Sequence, residues 1–334
     1  MIGTTLAVGT VNGRNAAALI VDGTLDDLLV DPTDATPVQG TIYRAVADRP
    51  AKGMGGQFVR LAGGLKGFLR QGQIPGGRTA LVQVTGFAEP GKAIPVTTKL
   101  LFKGRNVIVT PGAQGINISR QIHDDDRTGA LKELVAEACP DVTGAILRSA
   151  AEHADDDTIA QELKSLHALA TAVTSDTGDQ PELLLDGPTA ADVAWMEWDH
   201  DGSEPASFAD FDVDEMIDDM RQPFSQLDGG ASVYVEPTRA LVAVDVNTGG
   251  DTSPAAGLKA NIALARDLPR LLRCKGLGGQ IVIDFAPFPK KDRKVLEQVL
   301  RAAFKGGSVE TALVGWTPLG HFELNRKRAR LPLA

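Results

Sequence analysis

The pattern of apolar and polar positions is clearest in the last hundred residues. Leu241–Val246 and Gln280–Phe285 are nearly continuous apolar runs rich in β-branched side chains. Runs of that length and composition predict strands buried on both faces of a sheet. Around them the spacing predicts strands over Ala231–Glu236 and Glu310–Gly315 and helices over Ala256–Cys274 and Lys290–Phe304. Strands alternating with helices in this way make an α/β region. The first 37 residues predict short strands at Thr5–Gly9, Ala17–Val21 and Asp26–Val30, then a turn at Asp31-Pro32-Thr33-Asp34. Residues 38–103 predict a small antiparallel barrel. Its strands include Gly40–Val46, Gly56–Leu61, Thr79–Gln83 and Ala93–Leu101, broken by Gly and Pro at close spacing. A strand at Asn106–Thr110 follows, then a helix over Arg127–Ala138. A second helix, over residues 150–175, contains Asp155-Asp156-Asp157, an acidic cluster suited to a helix N-terminus. From 175 to 210 the chain is acidic and loop-rich outside Ala190–Trp198, and no internal repeat stands out.

Three polar side chains interrupt the ends of the two apolar runs: Asp245, Asn247 and Asp284. In a strand buried on both faces a carboxylate is costly unless it is paired or bound to a metal. Residues two apart on a strand share a face, so Asp245 and Asn247 lie side by side, about 6–7 Å apart along the backbone. If the second strand is a neighbour, Asp284 joins them. Two carboxylates and an amide oxygen are hard ligands of the kind magnesium accepts, with waters and a substrate phosphate completing its shell. Manganese would suit the same oxygens. The plainer alternative is that the three residues cap loops at strand ends.

A chain of 334 residues suggests two to four modules. Neither a bilayer-spanning apolar run nor a leader pattern is present, so a cytoplasmic location with no membrane partner is expected. Cys139 and Cys274 are the only cysteines and lie far apart, which excludes a disulfide framework and a CxxC zinc knuckle. The net charge of −9 argues at first against a nucleic-acid partner. Its distribution changes the picture, because Leu258–Ala334 holds 15 Lys or Arg against 6 Asp or Glu. Phosphate recognition depends on the local field. A solvated lysine-rich helix face would give the same count.

Within the barrel region, Phe58 and Phe68 fall in short flanking strands with Arg60, Lys66, Arg70 and Lys92 nearby in sequence. Aromatic faces stack on unpaired bases while cations track the backbone. A Phe in a small barrel is more often core. Residues 86–93 resemble a phosphate-binding loop, but no hydroxyl residue follows Lys92 and the segment leads into a strand. His123, His153, His167, His200 and His321 show no ligand spacing. Trp195, Trp198 and Trp316 are expected to pack.

These features carry a resemblance. The stretch Val233-Tyr234-Val235-Glu236-Pro237-Thr238, Asp245-Val246-Asn247-Thr248-Gly249 and Leu277-Gly278-Gly279-Gln280-Ile281-Val282-Ile283-Asp284-Phe285 resembles the catalytic domain of the bacterial ribonuclease E/G family. Ile118-Ser119-Arg120-Gln121-Ile122, Asp125-Asp126-Arg127, Ile146-Leu147-Arg148-Ser149-Ala150-Ala151 and Leu319-Gly320-His321-Phe322-Glu323-Leu324-Asn325-Arg326 extend the match in the same order. The resemblance implies an α/β (α+β multidomain) chain. Residues 1–37 and 175–228 would form an RNase H-like framework, 38–103 an inserted OB-fold RNA-binding domain, 104–174 a 5′-sensor-like segment and 229–334 a DNase I-like catalytic domain. It implies a magnesium-dependent endoribonuclease acting on single-stranded RNA. Asp245 and Asp284 would be metal ligands and Asn247 a third polar site residue. Phe58, Phe68 and Lys92 would contact RNA, and Gly104, Ile108, Arg148 and Ser149 would hold a 5′-monophosphate.

The departures shape the expectation too. Glu310 stands where the family completes its 5′-phosphate pocket with an arginine, which puts end-sensing in question. The sequence stops before the family's zinc-binding CxxC, so no zinc, no zinc-linked tetramer and a monomer or weak dimer are expected. The framework near 175–210 and the loop 248–260 are shorter than in the family. The alternative function is a catalytically degenerate RNA-binding protein that kept the fold.

Overall fold

The computed structural model describes residues 3–33, 36–51, 55–89, 91–200 and 204–333. The turn expected at 31–34 runs into residues outside these. The chain divides into two compact units, Met1–Thr33 with His200–Ala334, and Asp34–Asp199.

In the first unit β1 (Thr4–Val11), β2 (Arg14–Val21) and β3 (Thr24–Val30) form an antiparallel meander. Its two hairpins turn at Asn12-Gly13 and Asp22-Gly23, all four with positive φ. That pairing of residues suits the two-residue turns that match strand twist.

The second unit opens with a barrel of β4 (Ile42–Ala51), β5 (Gly56–Arg60), β6 (Lys66–Leu69), β7 (Thr79–Val84) and β8 (Ile94–Thr97). The order is β4-β5-β6-β8-β7, closed by pairing of β7 with β4, and only β6 and β8 run parallel. This is an OB-like closed barrel. Its core holds Tyr43, Val59, Leu69, Val82 and Val96. The expected strand Ala93–Leu101 is shorter, because the chain leaves the sheet after Thr97.

A second sheet follows, built from β9 (Phe102–Lys103), β10 (Val107–Val109), β11 (Gly115–Ile118) and β12 (Gly144–Leu147) in the order β11-β12-β10-β9. The apolar faces of α1 (Asp125–Ala138) and α2 (Asp156–Thr174) pack on it through Leu131, Val135, Ile159 and Leu163. Asp124 and Asp155 cap these helices by accepting backbone N–H bonds. β13 (Glu182–Leu185) then pairs with β4, and the buried Arg44 guanidinium binds Asp176 and Glu182 across that join. Thr189 and Asp192 form a capping box at the start of α3 (Ala190–Glu197). Residues 175–228 are therefore shared between the two units.

The first unit resumes with β14 (Ala206–Ser207), parallel to β1, and α4 (Val213–Arg221), whose Val213 and Ile217 pack with Ala18, Ile20 and Leu28. A six-stranded sheet completes it: β15 (Phe224–Gln226), β16 (Ser232–Pro237), β17 (Val242–Asn247), β18 (Gly279–Asp284), β19 (Thr311–Trp316) and β20 (Phe322–Arg326). The order is β15-β16-β17-β18-β20-β19, with β17 and β18 parallel. Between those two strands runs α5 (Ala256–Cys274), and α6 (Arg293–Phe304) follows β18.

Both helices cover one face of this sheet. Val233, Val235, Val244, Ile281, Ile283 and Phe322 pack there against Leu264, Leu268, Leu271, Leu296 and Leu300. The other face is open, and β17 alternates buried with exposed or half-buried positions. This corrects the expectation of strands buried on both faces. Ala243 and Val282 supply apolar character on the open side, which made alternation hard to see.

Part of the basic surplus of the C-terminal segment is met inside this unit by Asp26 and Asp27. Arg330 and Arg273 bind Asp27, Arg273 also binds Asp26 (3.0 Å), and Arg270 binds Asp267 (2.5 Å). Lys275 is buried and donates to the Met220 and Gln222 carbonyls. Lys290, Lys291, Lys294 and Arg301 remain exposed, with no ion pair among the described residues. Among the described residues no helix is long and apolar enough to cross a membrane.

Candidate active site

Asp245 sits near the C-terminal end of β17 and Asp284 at the C-terminal end of β18, and the two are direct partners in the parallel register. Adjacent strands lie about 4.8 Å apart, so the carboxylates leave the sheet side by side. Asn247 follows on the same face, and its Nδ2 donates to Asp245 Oδ2 (3.1 Å). All three side chains are exposed, with that of Asp284 at 68%. Burial therefore does not force an ion on them, and what they offer is the juxtaposition itself.

The strand exit after Asp284 is anchored from below. Asn261 of α5 is fully buried; its Nδ2 donates to the Ala286 carbonyl (2.9 Å) and its Oδ1 accepts the Ala286 N–H (3.0 Å). Gly257, one turn earlier, lets the helix approach the Pro287 carbonyl, where a Cβ would collide.

His321 adds a neighbour that the sequence did not suggest. Its Nε2 lies 3.8 Å from Asp284 Oδ1, because β20 pairs antiparallel with β18 and Ile283 faces Phe322. Only a prediction of β20 could have found it, and Phe322–Arg326 is a short, half-polar run. Trp316 packs as expected, with its ring under the Arg293 guanidinium and its Nε1 donating to Glu297. Trp198 is also buried, whereas Trp195 is 39% exposed.

Among the described residues no group of three His, Cys, Asp or Glu side chains is arranged as a metal cage. Two adjacent carboxylates are nonetheless the donor set that magnesium uses when waters and phosphate fill its other positions. The residues present fit that ion.

A family model described as "Ribonuclease E/G family" matches residues 102–198 and 196–329. The chain belongs to the ribonuclease E/G family. Ribonuclease G of Salmonella typhimurium is 26% identical over 396 aligned residues, covering 97% of this chain and 80% of that protein. Ribonuclease G of Escherichia coli K12 is 25% identical with the same coverage. Ribonuclease E of Synechocystis is 26% identical over 292 residues, 74% of this chain and 43% of the relative.

The other residues singled out by the family resemblance fall in two places in the second unit. Phe58 and Phe68 are cross-strand partners on β5 and β6, half-buried on the outer face, with ring centroids 5.1 Å apart. Arg60 and Lys66 pair two residues further along the same face. Lys92 lies in the β7–β8 loop and pairs with Glu89 (2.6 Å). Gly104, Ile108, Arg148 and Ser149 lie around the end where Val107 of β10 pairs with Leu147 of β12. Arg148 Nη1 donates to the Gly104 carbonyl (2.7 Å), and its Nη2 pairs with Glu197. A Cβ at Gly104 would meet the Glu162 carboxylate, which accepts hydrogen bonds from Asn106. Two carboxylates thus line this corner. Glu310 is exposed just before β19 in the first unit, its carbonyl accepting from Lys327 N–H (2.9 Å).

Proposed function

We infer that this chain is an endoribonuclease that hydrolyses phosphodiester bonds in single-stranded RNA with magnesium, or manganese, at Asp245 and Asp284. The observation that carries the reading is the direct register of those two carboxylates on an open sheet face, in a member of the ribonuclease E/G family. Asp245 and Asp284 would hold the ion, and Asn247 fixes the Asp245 carboxylate through its amide N–H. A bound divalent cation supplies Lewis-acid stabilisation of charge on the attacked phosphate and lowers the pKa of bound water. The exposed carboxylates leave a flexible strand free to reach them. On the OB-like barrel, Phe58 and Phe68 offer a stacking platform beside Arg60 and Lys66, on the strand pair that such barrels use for oligonucleotides.

The family's division into an RNase H-like framework, a 5′-sensor-like segment and a DNase I-like catalytic domain is the architecture we propose here. End-sensing is the part that this chain has weakened. Arg148 is already satisfied by Glu197, and Glu162 stands beside Gly104, so a 5′-phosphate would meet like charge.

Labelled single-stranded RNA carrying a 5′-monophosphate or a 5′-hydroxyl, incubated with magnesium or with a chelator, tests both statements. Internal cleavage with magnesium only, at similar rates for the two ends, is expected. Binding without cleavage under any divalent ion would replace the enzyme by an RNA-binding protein. A preference of about tenfold or more for the monophosphate, near 1.4 kcal/mol, would restore end-sensing.

A further inference from the structure

A row of side chains crosses the open face of the six-stranded sheet. Phe224 pairs with Tyr234, Tyr234 with Asp245, and Asp245 with Asp284. Partners in register point to the same face, so two aromatic rings stand immediately beside the two carboxylates. Their centroids are 5.5 Å apart at an interplanar angle of 67°, an edge-to-face pair. Phe224 is 42% and Tyr234 40% exposed, among the most exposed large apolar side chains of the described residues. A cross-strand aromatic pair contributes to holding a short edge strand such as β15, but that role does not require both rings to remain open to solvent.

We propose that Phe224 and Tyr234 form a base-stacking subsite for the nucleotide flanking the scissile phosphate. The proposal rests on the endoribonuclease reading above. It commits to one occupant, an unpaired base of the strand being cleaved. Continuity with the carboxylates selects it: any phosphate attacked at Asp245 and Asp284 brings a ribose and base within one strand spacing, about 5 Å, of Tyr234. Every base has a π-face, so such a subsite accepts any sequence and requires only that the base be unpaired. A duplex keeps its bases stacked internally and gains nothing there. The aromatic pair thereby adds a selection for single strands at the bond that is cut. The row above it, Gln226, Ser232 and Asn247, is polar and borders the backbone side of the same path.

The test compares wild type with Tyr234→Ala, Phe224→Ala and the ring-conserving Tyr234→Phe on a defined single-stranded oligoribonucleotide, with folding checked by circular dichroism and thermal melting. The alanine variants are expected to raise KM by about 5- to 100-fold with a smaller change in kcat, and Tyr234→Phe to stay near wild type. An oligonucleotide with an abasic residue next to the mapped cleavage site should cost the wild type a similar factor and the Tyr234→Ala protein little more. If a variant melts early, the abasic substrate on wild-type enzyme decides alone. Wild-type cleavage that is indifferent to the abasic residue, together with alanine variants of unchanged KM, overturns the subsite while leaving the enzyme reading intact. Absence of cleavage by the wild type overturns that reading itself, and the subsite with it. Dissociation of a dimer by Tyr234→Ala in sedimentation would show a second copy on this face and also overturn the subsite.

Discussion

Single residues decide what each candidate site can do. Asp245 and Asp284 are candidates through their placement, since each is open to solvent and neither is compelled to bind anything by burial. Arg148 shows the opposite case: the resemblance gives it to a phosphate, and the fold gives it to Glu197 and to the Gly104 and Met196 carbonyls. Nothing in the local sequence announces Glu197 as its partner, because the two residues are 49 positions apart. Cys274 is a third case, a thiol sealed at the end of α5 with burial as the main cause pushing its pKa from 9.0 up to about 12. Burial raises the Cys139 thiol as well. Native protein is therefore expected to react slowly with a thiol reagent at pH 8 and to yield both thiols on denaturation. Rapid reaction of Cys274 in the folded protein would contradict this environment. The same shift fixes a sign for stability. The folded thiol keeps its proton up to about pH 12, so its contribution is intact below pH 9 and is lost as pH rises from 9 towards 12.

At the scale of elements, α5 connects the packed core to the site. Its inner face fills the core with Leu264, Leu268 and Leu271, and its first turns hold the exit of β18 through Asn261 and the close approach at Gly257. Replacing Asn261 with Ala leaves the buried N–H and C=O of Ala286 without partners. The expected cost is about 2–4 kcal/mol of stability in denaturant unfolding, with slower cleavage because Asp284 lies two residues away. An unchanged unfolding midpoint would mean that the clip does not hold the strand. Most elements were legible in the sequence. The long helices are legible because many residues repeat one period, and the two apolar strands because their runs are nearly unbroken and rich in β-branched residues. β11, β12, β13, β15 and β20 are three to five residues long, too short for a period to show. Asp245, Asn247 and Asp284 are legible as a group because each breaks an apolar run, although their strands are covered on one face and not on two. Counting apolar residues cannot separate a covered face from an open one that happens to carry Ala243 and Val282.

Across the whole molecule the two candidate sites fall in two compact units. The unit of residues 34–199 carries the OB-like barrel with its outer Phe58–Phe68 pair. The unit of residues 1–33 and 200–334 carries the carboxylates. The overall charge of −9 hid this division, and the C-terminal excess of basic residues is met in part by Asp26 and Asp27 from the other end of the chain. Charge totals read along a chain miss pairs made between its distant ends. The most direct measurement of the central claim sets RNA binding and RNA cleavage side by side for Asp245→Asn, Asp284→Asn and a Phe58→Ala/Phe68→Ala double variant. The aspartate variants are predicted to lose cleavage by about 100-fold or more while keeping RNA affinity, and the barrel variant to lose affinity by about 5- to 100-fold. Cleavage by folded Asp245→Asn and Asp284→Asn proteins at the wild-type rate would contradict the account.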